Sequence, residues 1–451
     1  MKALKLILAI VVTFLMVTSV NGLAQQTFHS GGIGACEGCH SMHTSFEGSS
    51  NVTGRTFAQG AGPFLLRAND QSGVCLNCHN AADTAPSSYH ISTSGVTPYD
   101  STSPVEMTPG GDFAWLKKTM TFVVTGNTAT NNGDRHGHNV IAGDFGYTPD
   151  VILTFAPGST SNYPSASLAC SSCHDPHGRY RRFADGTYNT TGLPIFGSGS
   201  YNNSPNPVAN VSSVGAYRIL GGIGYQPKSL NGSFAFTFDP MDAVVASTYN
   251  RFETGDGTVG NANGTGIFYG RNVSEWCANC HNLMHQNGYT SGVPGLRHPA
   301  GNASKLTQAI VTNYNAYVSS GIMTNTNTAR AFSTLAPFGT DTNDRSVMQP
   351  QAVTGTGGNS NHAQATTGDN VSCLSCHRSH ASAFESMIRW NYSANEFLTV
   401  ADSSNIAIYD TLNGSGTGYS QIQQQNAYYG RPATFFGPFA RSYCNKCHAL
   451  D

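Results

Sequence analysis

The chain has 451 residues, a formal net charge of −2 and only 11% charged side chains, against about 25% in an average globular domain. Such a near-neutral chain lacks the basic surplus of a nucleic-acid footprint. With 39% hydrophobic residues it also falls outside the low-hydrophobicity, high-charge class of disordered chains.

The N-terminus opens on Lys2 and Lys5. An apolar run from Leu6 to Val20 follows, interrupted only by Thr13, Thr18 and Ser19, and Gly22-Leu23-Ala24 supplies small residues at the cleavage positions. This predicts a secretory signal peptide over 1–24 and a mature chain beginning at Gln25. The run is short for a bilayer span, and no later stretch is long and apolar enough for one. The expectation is an exported protein, secreted or held at the outer cell surface and not membrane-spanning.

From residue 36 onward the chain carries six copies of Cys-x-x-Cys-His. Their cysteines and histidines are Cys36, Cys39 and His40; Cys75, Cys78 and His79; Cys170, Cys173 and His174; Cys277, Cys280 and His281; Cys373, Cys376 and His377; and Cys444, Cys447 and His448. Together they use all 12 cysteines. An exported chain with an even cysteine count first suggests disulfides, and Cys-x-x-Cys is also half of a zinc site. Neither needs a histidine after every second cysteine. Covalent attachment of haem c does: two thiols form thioethers to the porphyrin, and the adjacent imidazole becomes the proximal iron ligand. The implied cofactors are six covalently attached haem c groups.

Between the motifs, periodic elements are scarce. The 50 glycines and many Ser, Thr and Asn residues fill the connections. One helix is predicted over about 304–319, with Leu306, Ala309, Ile310, Tyr314, Tyr317 and Val318 on one stripe and Gly321 as its stop. Short helical turns are expected after several motifs, as over 383–390. Phe234 to Phe238 alternates like a short strand. Long connections of this kind would ordinarily argue against a compact domain. Six flat apolar macrocycles can stand in for a side-chain core. The fold class expected is therefore a multihaem cytochrome c: mostly irregular coil, few short helices and minimal strand, wrapped around a row of six haems as one unit over 25–451.

Charge changes with the cofactor. Loss of Lys2 and Lys5 reduces 23 basic side chains to 21, against 25 acidic. About twelve propionates and six ferric centres then bring the oxidised protein to about −10. Arg179, Arg181, Arg182 and Arg218 are each read as a propionate partner or as solvated surface charge, with equal weight.

Ten histidines lie outside the motifs and can supply distal ligands. Three motifs extend to a second histidine three residues on: His43, His177 and His380. The porphyrin blocks that residue from its own iron, so it would cap another haem. His90, His138 and His298 sit in loops, where long-range ligands arise, and they complete the favoured distal set. His285, His29 and His362 stand behind them, with His136. The histidine surplus favours bis-His over His/Met coordination, which would raise the potential. A bis-His iron offers no open position to a substrate, so the chain reads as an electron-transfer protein with no catalytic residues and not as an enzyme. A multihaem reductase would need an open iron, and no Cys-x-x-Cys-Lys variant occurs. Haem motifs close to both ends of the mature chain suit a conductor, although a monomeric exported carrier fits the same motifs.

Several non-haem stretches add specificity: Phe28-His29-Ser30-Gly31-Gly32, Pro109-Gly110-Gly111-Asp112-Phe113, Gly137-His138-Asn139, Ala216-Tyr217-Arg218-Ile219-Leu220-Gly221-Gly222, Ser274-Glu275-Trp276 and Leu296-Arg297-His298-Pro299-Ala300-Gly301. With the motifs, over about 28–451, the chain resembles the filament-forming extracellular multihaem cytochromes of bacterial outer surfaces. The resemblance implies a continuous row of bis-His haems, in which stacked pairs alternate with T-shaped ones. It also implies a homopolymer in which His43 ligates the haem of Cys373, Cys376 and His377 in the adjacent subunit. Partners would be other outer-surface or periplasmic cytochromes and extracellular acceptors such as metal oxides, electrodes or partner cells. The likeness weakens over 339–370, which sets His362 apart from the ligand set.

Overall fold

The computed structural model describes residues 29, 36–42, 45–46, 49–50, 63–81, 89–99, 102–124, 127–160, 162–230, 233–245, 267–284, 298–320, 337–352, 365–390, 421–430 and 444–448. Irregular backbone dominates. Gln308–Ser320 is a helix of 13 residues, while the helices at Cys36–Cys39, Cys373–Cys376 and Cys444–Cys447 have 4 residues each.

The single turns follow from the motif itself. One α-turn brings positions i, i+3 and i+4 to one face, so both thiols and the imidazole point the same way. The backbone N–H of each following histidine closes the turn on the first cysteine: His40 to Cys36 at 2.9 Å, His174 to Cys170 at 3.0 Å, His281 to Cys277 at 3.1 Å, His377 to Cys373 at 2.9 Å and His448 to Cys444 at 3.0 Å. The second motif ends a longer helix, Gln71–His79, which Asp70 caps by accepting from the Gly73 N–H at 2.6 Å.

Strands are short. An antiparallel hairpin pairs Met120–Val124 with Asn127–Asn131. Arg181–Arg182 is the centre of a three-stranded patch, with Tyr188–Asn189 on one side and Val214–Gly215 on the other. Ala243–Val245 pairs antiparallel with Ile267–Tyr269, and Asn80–Ala81 pairs parallel with Ser92–Thr93.

The side-chain core is divided. Tyr217, Leu220, Met241, Val245, Tyr269 and Leu374 form one cluster. Tyr163, Tyr180, Tyr225, Phe234 and Phe236 form another. Two buried polar hubs tie the coil together. The Asp112 carboxylate accepts from Thr93 N–H at 3.0 Å, Thr93 Oγ1 at 2.6 Å, Glu106 N–H at 3.1 Å and Ala114 N–H at 2.8 Å. Asp242 accepts from Arg182 Nε at 2.6 Å, Tyr188 OH at 2.9 Å and Arg271 Nε at 3.1 Å.

Three local expectations change. The helix predicted over 304–319 begins at Gln308, because Lys305 is held in a β-bridge to Asn370. The helical turn expected over 383–390 is reduced to Glu385–Met387, and its Ser386 has φ 59° and ψ 25°, a left-handed conformation incompatible with an α-helix. Phe234 to Phe238 forms no strand. Phe234 and Phe236 are both buried, and Phe236 N–H bonds the Tyr225 carbonyl at 2.9 Å, so a tight turn replaces the partner strand.

Candidate haem-iron ligand pairs

All 12 cysteines carry free thiols. Motifs two and three are joined by the same device as motifs four and five. Ser72 Oγ accepts from the Cys170 N–H at 3.1 Å, and the Cys75 and Cys170 side chains lie side by side. Ser274 Oγ accepts from the Cys373 N–H at 3.1 Å, and the Cys277 and Cys373 side chains lie side by side. Each serine stands three residues before the first cysteine of its motif.

Five of the six motif histidines face a second imidazole. His40 and His177 have ring centroids 6.5 Å apart with planes at 5°. His79 and His29 are 6.2 Å apart at 17°. His174 and His380 are 6.4 Å apart at 60°. His281 and His138 are 6.2 Å apart at 32°. His448 and His298 are 6.0 Å apart at 59°. Direct stacking would bring rings closer. A metal–imidazole bond is about 2.0–2.1 Å and the ring centre lies about 1.1 Å behind the nitrogen, so two imidazoles on opposite sides of one metal have centroids about 6.3 Å apart. The five separations fit an iron ligated in trans.

Several of these imidazoles have Nδ1 anchored on a backbone carbonyl, as is usual of ligating imidazoles. Nδ1 of His79 donates to the Tyr89 carbonyl at 2.6 Å, that of His281 to Pro157 at 2.8 Å, that of His138 to Ser379 at 2.7 Å and that of His298 to Pro299 at 2.8 Å. Burial pushes His380 down to about 3, and both His281 and His29 down to about 4. Burial also lowers His79, His138, His174 and His377. These imidazoles are neutral at neutral pH, the form that binds a metal.

The facing pairs include His29, which stood behind the favoured distal set. The His90 ring lies 4.2 Å from that of Tyr89. The Tyr89 carbonyl receives Nδ1 of His79, which puts the Tyr89 backbone on the side of that imidazole away from the nitrogen that would meet iron. His29 stands opposite His79 instead. His136 is buried with Nδ1 on the Trp115 carbonyl at 3.0 Å. His377 has no facing imidazole among the described residues, and His43, His285 and His362 lie outside them.

His380 is fixed from several sides. Its ring stacks on Phe113 at 4.6 Å, and its N–H bonds the Gly110 carbonyl at 2.7 Å. Gly111, at φ 91°, lets the chain approach so closely that a Cβ there would lie 1.7 Å from the Ala381 carbonyl oxygen. The His138 N–H bonds the His380 carbonyl at 2.9 Å, interlocking two ligand pairs. Of the four arginines weighed as propionate partners, Arg182 is occupied by Asp242. Arg179 pairs with Asp175 at 3.0 Å, and Arg181 bonds the Leu193 and Thr190 carbonyls. Arg218 Nη1 bonds Tyr201 OH at 2.8 Å, while its buried Nη2 has no hydrogen-bond partner.

The first, third and fifth motifs share a further arrangement. Each is followed in space by a short 3-10 turn with two successive left-handed residues: Phe64 and Leu65, Arg218 and Ile219, Ser386 and Met387. The first carbonyl of each pair accepts Nδ1 of the motif histidine, from His40 at 3.1 Å, His174 at 2.8 Å and His377 at 2.8 Å. The second accepts the next backbone N–H, from Ser41 at 2.8 Å, Asp175 at 2.7 Å and Arg378 at 2.8 Å.

No family model matches the chain. It is 49% identical over 459 aligned residues, covering 100% of both chains, to the C-type cytochrome OmcS of Geobacter sulfurreducens. The chain belongs to the OmcS family of c-type cytochromes. Two solved structures of OmcS from that organism, each 48% identical to the chain, superpose on 94% of it and 100% of their own length. One is a cryo-EM structure of OmcS nanowires, with a TM-score of 0.80, and the other an Outer Membrane Cytochrome S filament, with a TM-score of 0.81. The mostly irregular architecture is that of this family. A c-type cytochrome holds haem through thioethers, and the paired imidazoles and free thiols described above fit that group. No helix among the described residues is long and apolar enough to cross a membrane.

Proposed function

We propose that the chain is an exported hexahaem cytochrome that polymerises into a conducting filament at the outer cell surface and passes electrons to external acceptors or partner cytochromes. Each Cys-x-x-Cys-His motif holds one haem. The distal ligands in motif order are His177, His29, His380, His138, His43 of the adjacent subunit, and His298. When bound, the haems supply one-electron iron chemistry. The chain would offer each haem two imidazoles, with those of His29, His79, His138, His174, His281 and His380 kept neutral by burial, and would leave no ligand position for a substrate.

The observation that carries this reading is the offset of the pairs. The second histidine of motif three, His177, faces the proximal histidine of motif one. That of motif five, His380, faces the proximal histidine of motif three. The rule is a step back of two motifs. Applied to His43 of motif one, the step leads out of the chain and onto motif five of a neighbour, whose His377 has no facing imidazole among the described residues. A homopolymer follows from the same rule, and the filament form of OmcS supports it.

The test is His43→Ala. The expected result is six haems per chain, filament growth abolished, and one iron in six open to carbon monoxide after reduction. Normal filaments from this variant, seen by cryo-electron microscopy, would remove the inter-subunit ligand and move the protein to a monomeric or differently assembled carrier.

A further inference from the structure

Among the described residues, the repeated left-handed turns lie at the odd-numbered motifs. His79 and His281 also donate Nδ1 to carbonyls, but those of Tyr89 and Pro157, neither of which is a positive-φ residue. In the three odd motifs the same five-part arrangement recurs. The proximal histidine forms a β-bridge, to Leu66, Leu220 or Ile388. Two residues precede that bridge partner with φ of 57° and 59°, 50° and 51°, or 59° and 49°. Their carbonyls take the imidazole Nδ1 and the following N–H. The chain then returns an N–H to the second cysteine's carbonyl: Arg67 to Cys39 at 2.9 Å, Gly221 to Cys173 at 3.0 Å and Arg389 to Cys376 at 2.9 Å.

L-residues enter this conformation reluctantly, and a β-branched residue such as Ile219 is a marked outlier there. Six non-glycine residues adopt it at three equivalent places, which makes the turn a selected geometry and not a loose loop. The turns Phe-Leu, Arg-Ile and Ser-Met share only a large aliphatic second residue, and none has the glycine or asparagine this conformation favours. The backbone is therefore the common element. Two successive left-handed residues reverse the carbonyl direction of an ordinary helical turn, and that reversal lets adjacent carbonyls meet the imidazole and the next N–H together.

The second of these bonds has a consequence beyond its own haem. It fixes the residue after the proximal histidine, and two residues later comes the second histidine of the motif, which faces another proximal ring. We propose that each left-handed clip is a positioning device for two iron ligands at once, coupling the coordination of its own haem to that of the odd haem two motifs earlier. The clip of Ser386 and Met387 holds His377 through the Ser386 carbonyl and aims His380 through the Met387 carbonyl. It thereby governs the haems of motifs five and three. This inference rests on the ligand pairs proposed above.

Ser386 is the position to test, because its side chain is exposed and only its backbone takes part. Ser386→Gly and Ser386→Asn tolerate the left-handed conformation, whereas Ser386→Thr and Ser386→Val place a β-branch in it. All four are made as the full holoprotein with six haems per chain. The readouts are the low-spin fraction by electron paramagnetic resonance and carbon monoxide binding to the reduced protein. Ser386→Val should raise the open fraction about tenfold, or about 1.4 kcal/mol, at two irons of six. Ser386→Thr should act in the same direction, and Ser386→Gly and Ser386→Asn should match wild type. Equal behaviour of Gly and Val variants, or a change confined to one iron, would overturn the clip. His380→Ala, measured alongside, should open one iron; if all six stay closed, the ligand assignment has failed rather than the clip.

Discussion

The imidazoles of His40 and His177 lie 6.5 Å apart with planes only 5° from parallel, although each belongs to a different haem motif. His174, the motif histidine beside His177 in sequence, faces His380 instead. Motifs one and three are thus met by the second histidines of motifs three and five. Motifs two, four and six take theirs from loops, at His29, His138 and His298.

This pairing predicts an asymmetric result for His177→Ala. Covalent attachment through Cys170 and Cys173 does not involve His177, so haem content stays at six. The iron that changes is that of motif one, opposite His40, while the iron of the motif carrying the substitution keeps its ligands. Resonance Raman or paramagnetic resonance should show one high-spin centre in six, and a motif-one peptide should show the altered haem environment after proteolysis. A high-spin centre at motif three would contradict the pairing.

The motifs were legible because covalent chemistry dictates both their residue types and their spacing. Of the histidines that face a motif imidazole, His177 and His380 were marked by their place beside a motif, and His138 and His298 only by lying in loops. His29 and His90 show the limit. Both are loop histidines, and nothing local distinguishes the residue facing His79 from the one next to Tyr89; the deciding fact is the Tyr89 carbonyl bonded to His79 Nδ1. The turn over 385–387 was missed for a related reason. Glu, Ser and Met have ordinary helix propensity, and the left-handed pair is imposed by two tertiary hydrogen bonds. The scarcity of regular elements was legible in composition, since glycine and short polar residues compete with helix and strand alike.

Asp112 gives a pH-dependent prediction. Burial pushes its carboxyl above the ordinary 3.8, against the pull of donors from Thr93, Ala114 and Glu106. A raised acid pKa means that the native state holds a proton the unfolded chain has already released. The stability contributed by this group is therefore full below 3.8 and declines as pH rises through the raised native value. Asp112→Asn cannot titrate and keeps one acceptor oxygen. It should cost about 2 kcal/mol by stranding a buried donor. Its deficit relative to wild type, read from denaturant midpoints, should shrink as pH rises above 3.8. A deficit that is flat with pH would mean that the carboxyl titrates alike in both states.

Asp242 is the anion of the second hub, and its removal should be the more damaging. Its side chain is fully buried, at 0% exposure, and Arg182 beside it is at 4%. Arg271 approaches from a partly open side at 31%. Arg345 is buried nearby, with its Nη1 and Nη2 on the carbonyls of Gly199 and Tyr201. Burial, and then the charge of Arg182, bring it down to about 10. Two guanidinium groups thus share one carboxylate, with a third buried close by. Asp242→Asn leaves Arg182 buried without a counter-charge, a loss of about 3–5 kcal/mol for a broken buried pair. Arg271→Met removes the half-open partner and should cost about 1 kcal/mol, as expected of a partly screened pair. Combining Asp242→Asn with Arg182→Met should recover part of the loss, because the stranded charge goes with its partner. Chemical denaturation of the four holoproteins reads all three effects, and a double variant no more stable than Asp242→Asn alone would show that the carboxylate acts through Tyr188 and Arg271 and not through Arg182.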